Sequence, residues 1–171
     1  IVDASKFRAP TVLSQLDLPG NSTDVAVDSS LSIAAVASNI GGLHLIDVSN
    51  SQQPQLLQTI TIQASSVEVA DGVAYVATEA QIAAYSLFTG EFLFQSLLTS
   101  TVEELALVGN RLYALTNSHL YIFDAQATSL VALGNVEVSG SASPLEVGRA
   151  LFVGDGVAYV GHFEGYSIID V

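Results

Sequence analysis

Apolar residues along the chain come in runs of four to eight, and Gly, Asn, Asp, Ser and Pro break those runs at short intervals. That pattern predicts many short strands joined by tight turns, not helices. Ala-rich stretches such as Ile33–Ala37 lack helix caps and helix length. They also stand where the matching stretches of the chain carry β-formers, so they are read as strand.

The pattern repeats. Ile1-Val2-Asp3, Leu45-Ile46-Asp47-Val48, Ala84-Tyr85-Ser86-Leu87, Ile122-Phe123-Asp124-Ala125 and Ile168-Ile169-Asp170-Val171 share one phase, and positions 3, 47, 86, 124 and 170 are separated by 44, 39, 38 and 46 residues. A second anchor places Tyr75, Tyr113 and Tyr159 in matching apolar runs, with Ala35 at that point of the first unit. A third is the run before each: Val25-Ala26-Val27, Val67-Glu68-Val69, Leu105-Ala106-Leu107 and Leu151-Phe152-Val153. Four strand-like segments therefore recur about every 40 residues.

In order through one module, strand a is expected near 24–28, 66–70, 104–108 and 149–154, and strand b near 32–38, 73–78, 111–116 and 157–162. Strand c is expected near 42–48, 81–87, 119–125 and 165–171, and strand d near 11–18, 55–63, 91–98 and 130–138. Between a and b lie Asp28-Ser29, Asp71-Gly72, Gly109-Asn110 and Asp155-Gly156. Asp-Gly and Gly-Asn between apolar runs are strong hairpin signals, because both central residues of the favoured turn need φ > 0.

Four antiparallel strands per repeat is the arithmetic of a β-propeller. The fold class expected is all-β, with four repeats of four antiparallel strands and units near 4–47, 48–86, 87–124 and 125–170. A two-sheet sandwich gives no reason for a strict four-strand period. Ile1–Asp3 reads as the end of a preceding blade, which makes the chain part of a larger, six- to eight-bladed propeller. Cut there, its terminal blades would leave apolar faces bare and favour self-association, unless the remaining blades of a parent chain cover them.

Composition narrows the partners. The 171 residues carry 4 Lys+Arg against 17 Asp+Glu, a formal charge of −13, while half of them are hydrophobic. Such an apolar share excludes a disordered acidic tail. Four cations cannot neutralise a row of phosphates, so no nucleic acid is expected. No apolar run approaches the length of a spanning helix, so no membrane insertion is expected. With no Cys, disulfides, thiolate metal sites and a Cys nucleophile are excluded together. Met is absent even from position 1, which reads as a processed chain or a piece of a longer one.

Gly-Gly-Leu-His-Leu-Ile-Asp-Val (41–48), followed by Ser49-Asn50 and Pro54, resembles the LVIVD-type repeat. Asp24-Val25, Gly72-Val73-Ala74-Tyr75-Val76-Ala77 and Gly165-Tyr166-Ser167-Ile168-Ile169-Asp170-Val171 are similar to its inner strand and its two arms. Ser86 in the second unit and Ala125 in the third depart from the pattern. The resemblance implies a β-propeller, exported or at the cell surface of a bacterium or archaeon. It brings no catalytic residue set.

In propellers the d–a and b–c loops share one face. Here that face should gather Asp24, Glu103, Glu104 and Glu146 from d–a connections, and Glu79, His162 and Glu164 from b–c connections. Such an acidic funnel would attract cations or a basic partner. Against a site stands the plainer reading of a solvated rim on an acidic protein. No Asp-x-Asp-x-Asp-Gly loop, His-x-His pair or Gly-x-Ser-x-Gly elbow occurs. A metal site would need ligands from separate blades.

The Asp that ends strand c (Asp3, Asp47, Asp124, Asp170) is expected to cap a turn. The repeat tyrosines are expected to pack between blades. The functional expectation is a non-catalytic scaffold that binds a protein or small ligand at the propeller mouth, without a cofactor. The alternative is part of an enzyme or cation-binding propeller with its acidic site on that same face.

Overall fold

A computed structural model describes residues 1–6, 8–138, 150–162 and 165–171, and the 17 regular elements named among them are all β-strands. A short pair, β1 (Val2–Asp3) and β2 (Thr11–Val12), comes first. Then follows a sheet of β3 (Asp24–Asp28), β4 (Ile33–Ala37), β5 (Leu43–Asp47) and β6 (Gln55–Ile60). A second sheet has β7 (Ser66–Ala70), β8 (Val73–Thr78), β9 (Gln81–Ser86) and β10 (Phe92–Leu97). The third holds β11 (Val102–Val108), β12 (Arg111–Thr116), β13 (His119–Gln126) and β14 (Ser129–Glu137). The fourth has β15 (Leu151–Gly154), β16 (Val157–His162) and β17 (Gly165–Asp170).

Each sheet is an antiparallel meander in chain order. The first strands β3, β7, β11 and β15 touch in succession, so they form the inner rim of the array. Burial follows position. β4 and β8 are buried throughout, whereas β6, β10 and β14 are largely exposed. This is why the middle strands are apolar nearly without alternation: both of their faces meet a neighbour.

Three clusters fill the spaces between successive sheets. Ala26, Ala35 and Leu45 of the first sheet meet Val67, Val76 and Tyr85 of the second. Tyr75 and Ile82 meet Leu105, Leu112 and Phe123. Tyr113, Leu115 and Leu120 meet Leu151, Ala158 and Val160. The tyrosines at 75 and 113 therefore pack between modules, as expected. The Tyr75 hydroxyl also donates to the Gln126 carbonyl of the next sheet at 3.0 Å.

Turn chemistry agrees with the sequence at Asp71-Gly72 and Asp155-Gly156, where φ is 50° and 77°, then 53° and 76°, but not at Gly109-Asn110, where Gly109 alone takes positive φ (60°). Ser5 N–H donates to Asp3 Oδ1 at 2.9 Å and Ser49 N–H to Asp47 Oδ1 at 2.8 Å, the expected cap. Asp124 differs. It accepts from the side chains of Asn110 and Gln126 and pairs with Arg111 at 3.5 Å, because the a–b turn beside it carries an amide and a guanidinium.

Other expectations need correction. Four sheets of four strands are not what forms among the described residues: three are complete, and the fourth has three strands. The first d segment, expected over 11–18, is strand only at Thr11–Val12, because its partner β1 offers just two paired residues. β11 begins at Val102, two residues early, as a bulge between Val102 and Glu104 lets it pair beyond β12's regular register. The first a–b turn is not a two-residue hairpin. It runs to Ser32 (φ 55°), with Asp28 Oδ1 accepting from Ser30 and Leu31 N–H.

Candidate functional site

The inner strands start at one mouth of the array, and three of the predicted acids meet there. Asp24, Glu103 and Glu104 line a pocket of about 340 Å³ together with Thr23, Asn39 and Ser66. Glu79 lies apart, in a pocket of about 240 Å³ beside Thr78 and Tyr85. His162 ends β16, with Nε2 3.3 Å from the Ser167 hydroxyl, and its Nδ1 is buried with no hydrogen-bond partner among the described residues. Glu146 and Glu164 lie outside the described residues.

Two of the acids hold the next sheet. Asp24 Oδ2 accepts from the Ser66 hydroxyl at 2.7 Å and from Val67 N–H at 2.9 Å, while its Oδ1 takes its neighbour's amide, Val25 N–H, at 2.8 Å. Ser66 Oγ in turn accepts Leu105 N–H at 3.1 Å. Glu104 Oε2 accepts Leu151 N–H at 3.1 Å. A side chain near the start of one inner strand thus accepts a backbone amide near the start of the next, three times over. These bonds satisfy donors at the buried sheet-to-sheet boundary, where an unpaired amide is costly.

Glu68 on β7 is the acid that sequence reasoning missed. Its carboxyl is pushed up to about 7 by burial first, then by the negative charge of Asp24, with Glu104 adding a smaller push. The Leu107 N–H bond works the other way. Glu104 is raised by burial, partly offset by its bond to Leu151. The available signal was a single Glu inside an apolar inner-strand run, Val67-Glu68-Val69.

His44 occupies the interior of the first sheet, fully buried. Its Nε2 is 2.9 Å from the Pro19 carbonyl, which can only accept, and its Nδ1 is 2.9 Å from the Thr59 hydroxyl. In the neutral ring Nε2–H donates and Nδ1 accepts, so His44 is satisfied in place. Among the described residues no group of three or more His, Asp or Glu side chains is arranged to hold a metal ion. At the opposite mouth the a–b turns, with Asp28, Asp71 and Asn110, border a pocket of about 480 Å³.

No protein-family profile and no curated protein sequence matches the chain. Its backbone is similar to that of solved structures. The computationally designed Ika4 protein shares 15% identity at TM-score 0.69, over 94% of this chain and 98% of that one. BamB from Moraxella catarrhalis shares 14% at 0.65, over 91% of this chain and 48% of BamB. Sqt1 from Saccharomyces cerevisiae shares 16% at 0.66, over 86% of this chain and 44% of Sqt1. At such identities the likeness establishes the fold alone, and that fold is a β-propeller array. The chain spans about half the length of BamB and of Sqt1.

Proposed function

We propose that this chain is a propeller segment serving as a non-catalytic interaction scaffold, whose acidic mouth receives a protein or small ligand carrying positive charge. The carrying observation is how the mouth acids are used. Asp24 and Glu104 accept backbone amides of the following sheets, so they are part of the joinery. Opposite charge on the partner follows from the net charge of −13 and from the acids that line the mouth. The repeat arms support assignment to the LVIVD-type family and, with it, an exported or cell-surface protein of a bacterium or archaeon.

A second reading, a cation-binding or enzymatic mouth, is favoured by one observation. Glu68 lies half-buried near Asp24 and Glu104, and burial with their charge pushes its carboxyl up to about 7, which suits a group that gives and takes a proton. Calorimetric titration separates the two. An oligolysine peptide should bind, weaken as salt is raised, and weaken again in Glu103→Gln. Stoichiometric uptake of Mg²⁺, Ca²⁺ or Mn²⁺ that is lost in Glu104→Gln, or peptide binding indifferent to salt, would overturn the scaffold reading.

A further inference from the structure

The residue that closes the second strand of each sheet is polar. Ser38, Thr78, Thr116 and His162 stand at one phase of the repeat, three positions after Ala35, Tyr75, Tyr113 and Tyr159. Two of the hydroxyls are used by the protein itself. Ser38 Oγ lies 2.9 Å from Ser22 Oγ. Thr116 Oγ1 donates to the His119 carbonyl at 3.0 Å and accepts the His119 N–H at 3.1 Å, closing its own turn. Thr78 does neither. It is 7% exposed, and its Oγ1 is buried with no hydrogen-bond partner among the described residues. A hydroxyl withdrawn from water and left unpaired is costly, so its retention in a fold calls for a reason.

The turn after Thr78 differs from the one after Thr116. Both connections have two residues, Glu79-Ala80 and Asn117-Ser118. Glu79 sits at φ 51°, whereas Asn117 does not take a positive φ. Backbone bonds hold the first turn in that shape: the Glu79 carbonyl accepts Val102 N–H at 2.7 Å, and the Ala80 carbonyl accepts Leu98 N–H at 2.8 Å. The turn is tied to the crossover that leads to the third sheet, and the Thr78 hydroxyl is left over.

That hydroxyl belongs to the wall of a pocket. Thr78 follows Ala74 and Val76, and Gln81 precedes Ala83 and Tyr85, on the faces that look at the first sheet. With Glu79, and with Ile62 and Gln63 from the crossover before β7, Thr78, Gln81 and Tyr85 line about 240 Å³. The pocket shares no residue with the one lined by Asp24 and Glu104. Among the described residues no Lys, Arg or His lines it, so it offers no charge partner to an anion. It presents the Thr78 hydroxyl, two carboxamides and one carboxylate beside the ring of Tyr85 and the side chain of Ile62. Hydroxyls and carboxamides both donate and accept, and the carboxylate accepts. The matching ligand carries groups that also donate and accept, around a body with apolar faces. Drug-sized sites run to about 300–1,000 Å³, so this smaller space limits the occupant to one small ring.

We propose that this pocket binds one neutral hexose ring. Thr78 Oγ1 and the Glu79 carboxylate take its hydroxyls, Gln63 and Gln81 complete the pairing, and a C–H face of the sugar lies against Tyr85 and Ile62. An ammonium group, the other ligand a carboxylate attracts, has no acceptor and would leave the carboxamide and hydroxyl donors unmet. The inference stands on this pocket and not on what the acidic mouth receives.

Two-dimensional NMR of the isotopically labelled 171-residue chain, titrated with D-glucose, D-galactose and D-mannose, tests it. At least one sugar should shift the amides of Thr78, Glu79 and Gln81 together and saturably. The 6-phosphate of that sugar should bind more weakly, because Glu79 repels the added charge. Thr78→Val keeps the branched shape and removes the hydroxyl, and should weaken binding at least about fivefold. Without sugar, the variant should melt at or above the wild-type temperature, since the lost hydroxyl was unpaired. Pocket amides that ignore all three sugars, shifts produced by methylammonium but by no sugar, or tighter binding of the phosphate would each overturn the proposal. So would a Thr78→Val chain that binds sugar as wild type does, or one that is less stable, which would give the hydroxyl a structural role. The oligolysine and cation titrations bear on the mouth alone, so the two readings can fail separately.

Discussion

At Glu68 the inner strand carries a carboxyl where the matching points of the first and third units carry Ala26 and Ala106. Folding raises its pKa from 4.5 to about 7, so the folded chain holds this proton more tightly than the unfolded chain does. Its contribution is therefore most favourable below about pH 4.5 and is lost as pH rises through 7. Glu68→Gln keeps an acceptor for Leu107 N–H and removes the buried charge. Thermal melts should show the variant more stable than wild type at pH 8, with the gap closing by pH 5. Asp24→Ala should cost about 1–3 kcal/mol in denaturant melts, since Val67 N–H and the Ser66 hydroxyl lose their acceptor. Asp24→Asn, which retains a carbonyl oxygen, should cost less. The sequence marked Asp24 and Glu104 because each opens an apolar run just after a polar loop. It hid Glu68, because flanking Val67 and Val69 make that position look like ordinary strand interior. It also could not distinguish a mouth acid that faces a ligand from one that binds the next sheet, since that depends on distances between separate repeats.

Among the elements, strand order, the Asp-Gly hairpins and repeat phase were legible, because each is a local pattern of apolar runs and turn residues. Pairing defects were not. In all three complete sheets the outermost strand bulges against its neighbour, leaving Leu57, Leu93 and Leu133 outside the register. Bulges of this kind twist an exposed edge strand and discourage further pairing along it. Their sequence is an unremarked Leu inside a strand, so nothing local announces them. Glycines divide by position in the same way. At Gly42 φ is 102° and a Cβ would lie 2.4 Å from the Ile60 carbonyl oxygen, whereas at Gly134 a Cβ meets nothing. Gly42→Ala should lose more than about 1 kcal/mol, and Gly134→Ala should be neutral or mildly stabilising, as chemical denaturation can compare directly.

For the molecule as a whole, stability is distributed radially. Both faces of β4, β8 and β12 are covered, while β2, β6 and β14 are largely open to water. Native-state hydrogen exchange should find the slowest amides in β4, β8 and β12, and the fastest strand amides in β2. Equal protection across each sheet would mean that the sheets open as single units and would contradict this gradient. The chain of carboxylate and hydroxyl ties along the inner rim stops at Ala150, which stands where Asp24, Ser66 and Glu104 stand in earlier sheets and has no side-chain acceptor to offer. Val25, at the far end, already has its amide occupied by its own neighbour. Among the described residues, the last inner strand therefore shows no side-chain tie of the kind that fastens each earlier sheet to its successor. Each of the three junctions between successive sheets is stitched at the rim, so prising two modules apart must break a polar stitch as well as an apolar contact.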